Sequence, residues 1–190
     1  TPSDWAAPGV TLTGAQTNFV RGNVFQPSED TLVDSFTFDA LAPEGAQLVF
    51  GVWASPTANG VFTLIDSNSL EVHAGQADTW TTFSSGPLGT LLEADLIYVL
   101  GVWWGATPTR FQATGVDPGE PAWGEHLGGA NRSGNATLPA TMTIGTNAAT
   151  FYAMQVFAND EGDADADAFV ACADCDDDEP AAFPGNPELC

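Results

Sequence analysis

The feature that most limits this chain is a succession of short apolar stretches, rich in Val, Phe, Thr and Trp and cut apart by turn residues. No stretch sustains a 3.6-residue apolar period, so strands rather than helices are predicted, at 17–25, 32–39, 47–54, 61–66, 70–74, 80–84, 96–104, 109–114, 141–145 and 150–158. Alternation supports them: Leu32, Phe36 and Phe38 share one face, while Ser35, Thr37 and Asp39 share the other. The stretches 47–54 and 96–104 are apolar on both faces, which places them mid-sheet or under a covering loop. The prolines from Pro27 to Pro139 fall between strands, where a missing N–H does no harm. The expectation is an all-β, two-sheet β-sandwich with jelly-roll topology over residues 1–158, followed by an irregular acidic metal-binding tail over 159–190.

One internal echo stands out. Phe50-Gly51-Val52-Trp53 and Leu100-Gly101-Val102-Trp103 lie fifty positions apart. Either a half-domain is duplicated or two neighbouring core strands solve the same packing problem, and the second reading is preferred because the likeness fades beyond the strand.

Charge divides the chain in two. It has 25 acidic side chains, three arginines and no lysine, for a net charge of -22. Residues 1–158 carry 14 acids and all three arginines, while 159–190 carry 11 acids, no base and all three cysteines. Such a field repels phosphate backbones and anionic lipid, so neither nucleic acid nor a membrane is an expected partner, and cations are. No apolar run reaches the roughly 18 residues of a membrane span. No basic and apolar leader opens the sequence, so any export signal is expected to have been removed or left out.

The tail holds the sharpest motif. Asp163, Asp165 and Asp167 occupy the first, third and fifth positions of a calcium loop. Phe169 then stands at position seven, where a backbone carbonyl is the ligand, and Asp174 supplies the carboxylate at position twelve. Two features depart from the pattern: Ala168 replaces the turn glycine, and Asp174 stands in place of the longer Glu. Asp176, Asp177 and Asp178 add further carboxylates. Like charges a few ångströms apart cost on the order of 1 kcal/mol each in water, and a hard divalent cation with six to eight oxygen ligands removes that cost. Ca2+ is therefore the expected cofactor.

Asp174-Cys175-Asp176-Asp177, then Phe183-Pro184-Gly185, then Glu188-Leu189-Cys190, resembles the Asp- and Cys-rich metal-binding motif of secreted and surface-anchored bacterial proteins. The acidic, cysteine-stapled style is also similar to thrombospondin type 3 calcium repeats. The resemblance covers about 28 residues, and the Asp-Gly-x-Asp-Asn-x-Cys-Asp segment usual in the family does not occur here. It implies a metal-binding wrapper on an extracellular protein.

The residues outside that motif bear on function in several ways. Cys172, Cys175 and Cys190 permit one disulfide, Cys175–Cys190 or Cys172–Cys190 being of workable size, and leave one thiol for an intermolecular bridge or for a chain that originally continued. Zinc is disfavoured because no fourth ligand completes a tetrahedron. A disulfide implies an oxidising, extracellular setting. Asn131 and Asn135 head glycosylation sequons in a Gly-rich stretch, 128–134, expected to be an exposed loop. No nucleophile elbow, metalloprotease helix or phosphate loop occurs, so no enzymatic activity is expected. Consecutive Trp103 and Trp104 must point to opposite faces, so one of them, with Trp53 beside it, would form an outer platform for stacking sugars unless a loop covers it. The lead over residues 1–16 suits addition to a neighbour's sheet edge. The expected function is a non-enzymatic extracellular structural module, a subunit of a fibre or surface layer that associates head to tail, with a glycan-binding or adhesin module as the alternative.

Overall fold

The computed structural model describes residues 5–7, 11–12, 14–147 and 150–159. In chain order its strands are β1 (Trp5–Ala7), β2 (Thr11–Leu12), β3 (Phe19–Pro27), β4 (Thr31–Leu41), β5 (Gln47–Ser55), β6 (Phe62–Glu71), β7 (Thr81–Ser84) and β8 (Thr90–Leu92). They continue as β9 (Ile97–Trp104), β10 (Arg110–Thr114), β11 (Gly124–Ser133), β12 (Thr141–Met142), β13 (Gly145–Asn147), β14 (Phe151–Tyr152) and β15 (Met154–Asn159).

Two antiparallel sheets result. The spine of the eight-stranded sheet is β4, which takes β15 and then β10 along one edge and β8 and then β7 along the other. Outside this edge lie β1 on β15 and β2 on β10, so residues 5–7 and 11–12 border the sheet in two steps. The ribbon continues to the Gln16–Thr109 bridge before the chain crosses to β3. The second sheet has seven strands in the order β12-β6-β5-β9-β3-β11-β13.

The main core fills the space between the sheets, with Phe36 and Phe38 of β4 facing Phe50 of β5 and Leu100, Val102 and Trp104 of β9. A second apolar cluster sits on the outer face of the seven-stranded sheet, where Val20, Val24, Trp53, Val99 and Met142 pack with Trp103 and Leu138. This explains why 47–54 and 96–104 read as apolar on both sides. Their inward residues join the main core, and their outward residues are covered by the segment carrying Asn135, Leu138 and Pro139. The echo is resolved in the same place: β5 and β9 are neighbours, and Gly51 lies directly opposite Gly101.

Several expectations need correction. Val33, not Leu32, joins Phe36 and Phe38 in the core, because a bulge at Asp34 shifts the register between Phe157 and Ala158 by one residue. The stretches 61–66 and 70–74 are one ten-residue strand, β6. The stretch 150–158 breaks at Ala153, whose N–H donates to Gln112 and whose carbonyl accepts from Asp39, dividing β14 from β15. The supposed loop 128–134 is, through Ser133, part of β11. The N-terminal lead contributes a strand, β1, to the edge of β15 within its own chain.

Candidate functional site

The residues assigned to calcium, Asp163, Asp165, Asp167, Phe169, Asp174, Asp176, Asp177 and Asp178, lie outside the described residues, as do Cys172, Cys175 and Cys190. Among the described residues no group of three or more His, Cys, Asp or Glu side chains is placed to hold a metal. No helix among them is long and apolar enough to cross a membrane.

The tryptophan platform is not formed. Trp104 points inward and is fully buried against Phe38 and Phe111, its indole N–H donating to the Gln16 carbonyl at 2.9 Å. Trp53 is also fully buried, on the outer face, and donates to the Pro139 carbonyl at 2.9 Å. Trp103 is half-buried beside it and donates to the Asn135 carbonyl at 2.9 Å. Both outward indoles thus act as pegs that hold the covering segment, and neither Trp53 nor Trp104 offers a free ring face. Asn131 is a half-buried strand residue paired with Arg21 and Gly145, not a loop residue, and its amide donates to the Gly145 carbonyl at 3.2 Å. Asn135 does lie in the connecting segment after β11, where its backbone N–H donates to the Asn18 carbonyl and its own carbonyl accepts from the Trp103 indole.

Two buried ionisable groups escaped the sequence reading. Arg21 shares the inward parity of Phe19, Asn23 and Phe25 on β3, and only that parity signalled it. Its guanidinium carbon stands 4.2 Å from the Phe19 ring centroid, 5.2 Å from Phe111 and 5.7 Å from Tyr152. One nitrogen donates to the Gln16 amide oxygen at 2.9 Å, while Nε and Nη1 have no hydrogen-bond partner among the described residues. Burial lowers the guanidinium from its ordinary value, opposed by Tyr152, whose own hydroxyl burial raises. The aromatic faces thus take the place of a carboxylate around this cation.

His126 is the other. It lies in an aromatic nest, 4.6 Å from Trp5, 5.2 Å from Phe25 and 5.0 Å from Phe151 between ring centroids. Among the described residues neither ring nitrogen has a hydrogen-bond partner, and the nearby Trp123 indole N–H also lacks one. Glu120 accepts the backbone N–H of His126 without reaching the ring. Burial pushes the imidazole down to about 4, with Asp117 opposing. Because the folded value lies below the ordinary 6.5, neutral His126 contributes its full stability above pH 6.5 and loses it as pH falls toward 4. That loss amounts to about 2 kcal/mol between pH 7 and pH 5. His126→Phe is expected to remove this component and the two unsatisfied nitrogens together. Denaturant unfolding of variant and parent at both pH values checks it: the variant's advantage should be larger at pH 5, and an equal difference at both would refute the assignment.

Two open grooves that carry polar side chains lie on the outer face of the eight-stranded sheet. A groove of about 430 Å³ is lined by Thr37 and Asp39 of β4, Thr82 of β7 and Gln155 of β15, with Ala6 and Met154. Thr82 donates to Asp39 at 2.6 Å, and Thr37 accepts the Gln155 backbone N–H at 3.2 Å. A second groove of about 570 Å³ continues past Ser35 and Ser84 to Pro87 and Leu88. Hydroxyls, a carboxylate and a carboxamide in a row can donate to and accept from a hydroxylated ligand. Nothing in the sequence marked this row beyond the outward alternation of Ser35, Thr37 and Asp39. Compared with family models, curated proteins and solved structures, the chain finds no match.

Proposed function

We propose that this chain is a non-enzymatic extracellular structural module, a self-assembling subunit of a fibre or surface layer, whose segment 159–190 binds calcium. The observation that carries the reading is the concentration of 11 acids and all three cysteines, without one base, in those last 32 residues. Carboxylates at that density gain most from a hard cation, and the spacing of Asp163, Asp165 and Asp167 suits calcium. The sandwich supports the structural half of the reading: most of its aromatic rings, its Arg21 and its His126 are buried, and its accessible grooves hold hydroxyl, amide and carboxylate groups. Jelly-roll connectivity belongs to this proposal, and the crossings from sheet to sheet between β3 and β4, β4 and β5, β8 and β9, and β9 and β10 support it.

Alanine at Asp163, Asp165 and Asp167 together is expected to abolish calcium binding in calorimetry while the circular dichroism of the sandwich is unchanged. Undiminished calcium affinity in the triple variant would overturn the ligand assignment. The second reading, a glycan-binding module, is favoured by the Thr37–Asp39–Thr82–Gln155 groove rather than by the tryptophans. A glycan array separates the two: binding that is lost on Asp39→Ala supports the groove as the site.

A further inference from the structure

We infer that the edge strand Trp5–Ala7 is exchangeable, and that the slot it fills accepts the same strand from a second copy of this chain. The inference rests on the self-assembly reading and specifies where subunits join.

The strand is held by little and in one place. It pairs with β15 over three residues, Trp5 opposite Val156, Ala6 opposite Gln155 and Ala7 opposite Met154. It stands at the end of its sheet, so one of its edges is unpaired among the described strands. Trp5 is its single large side chain and is 3% exposed. The indole meets Phe25 edge-on at 4.9 Å, lies 4.6 Å from His126, and donates to the Gly119 carbonyl at 2.8 Å.

The slot, by contrast, is built without that strand. Phe25 packs on Trp123 and His126, and His126 packs on Phe151, through contacts in which Trp5 takes no part. The ladder partner β15 is held from its other side by β4 over residues Leu32 to Phe38. Departure of β1 therefore leaves an apolar pocket beside an unpaired strand edge, which is a template for strand addition. Buried in the closed nest are three unpaired polar atoms, both His126 ring nitrogens and the Trp123 indole nitrogen, so closure is not fully satisfied.

The occupant that fits is fixed by the slot. It needs an indole with a free N–H aimed at Gly119 and, two residues on, a small side chain buried on the same face, as Ala7 is. A second copy offers that strand identically. The next pairing, β2, is with a different strand, β10, so the β1 ladder can part without disturbing it. From Thr11 back to Trp5 the chain spans at most about 20 Å, enough to reach an adjacent copy. Reciprocal exchange closes a two-fold dimer, and one-way exchange propagates a head-to-tail chain. The resident strand has an effective concentration of about millimolar, so exchange competes evenly when subunits are held at comparable density and prevails above it.

Ala6→Cys with Gln155→Cys tests this in the full chain. Ala6 is exposed and directly opposite Gln155, so a bond between them reports whose β1 fills each slot without touching the core. The parent chain, with its native Cys172, Cys175 and Cys190, is oxidised alongside as the control. With calcium present, cross-linking is expected within one chain at about 10 µM and about half between chains at about 1 mM. Sedimentation at the same concentrations separates the failures. Oligomers whose pair remains wholly intrachain would overturn exchange and leave self-assembly standing. A strictly monomeric, intrachain-linked species at every concentration would overturn both.

Discussion

Replacing Gly22 by alanine is expected to cost the sandwich about 3 kcal/mol or more and to lower its Tm by roughly 6–12 °C. Gly22 lies between Gly101 of β9 and Ala130 of β11, and Gly101 lies in turn opposite Gly51 of β5. The central strands of the seven-stranded sheet thus present a row of residues with little or no side chain to the outer cluster. A methyl on Gly22 would stand 2.1 Å from the Leu100 carbonyl oxygen and 2.5 Å from the Gly101 Cα. Both are backbone atoms of a strand paired on each side, so neither can move without shifting a ladder. Gly14→Ala is the control: the added methyl has no neighbour within 4 Å, and stability should stay within about 0.5 kcal/mol. Thermal and denaturant unfolding of the two variants decide the matter. If Gly22→Ala unfolds like Gly14→Ala, the sheet has slack at its centre and the glycine row has no packing role.

The same row shows where sequence patterning succeeds and where it stops. Alternation and turn residues were enough to identify an all-β chain with two sheets, because Phe36, Phe38, Phe50 and Val102 leave few other ways to bury their faces. They could not locate β11. Gly128 and Gly129 read as a loop, yet Gly128 takes φ 108° at a bulge, and a methyl on Gly129 would stand 2.2 Å from the Thr150 carbonyl. Glycine there marks close backbone approach rather than a turn, and composition does not tell these apart. The bulge at Asp34 was hidden for a related reason, since a one-residue insertion reverses the faces of everything before it. The N-terminal lead read correctly as strand-forming, but a strand's residues do not state whose edge it joins. Arg21 was overlooked because an arginine on an inward face is expected to bring a carboxylate, and here it is enclosed by rings instead. The grooves escaped because they are assembled from β4, β7 and β15, which are distant in sequence. The acidic spacing proposed to bind calcium is legible in the sequence, and its residues lie outside the described ones.

Trp53→Ala is expected to cost about 4 kcal/mol, at the upper end for an aromatic truncation, because the space it leaves cannot collapse. The indole lies across Gly51: a methyl built there would meet its ring atoms at 2.4 and 2.6 Å. The floor of the cavity is therefore the bare backbone of Gly51, which has no side chain to turn into it. The roof is the segment pinned by the Trp53 bond to Pro139, and the Leu64 N–H donates to Ala140 in the same segment at 2.8 Å. Loss of the indole should accordingly speed amide exchange at Leu64 as well as lower the unfolding midpoint. Trp53→Phe, which keeps most of the buried ring and lacks only the N–H, should cost about 1–2 kcal/mol. The comparison bears directly on function. An indole serving as a sugar platform would be replaceable at little cost to stability, with glycan binding lost. An indole serving as a peg shows the reverse, and the burial of Trp53 on one side by Gly51 and on the other by the covering segment requires the second result. A Trp53→Ala variant within about 1 kcal/mol of the parent in denaturant unfolding would return this face of the sheet to ligand binding.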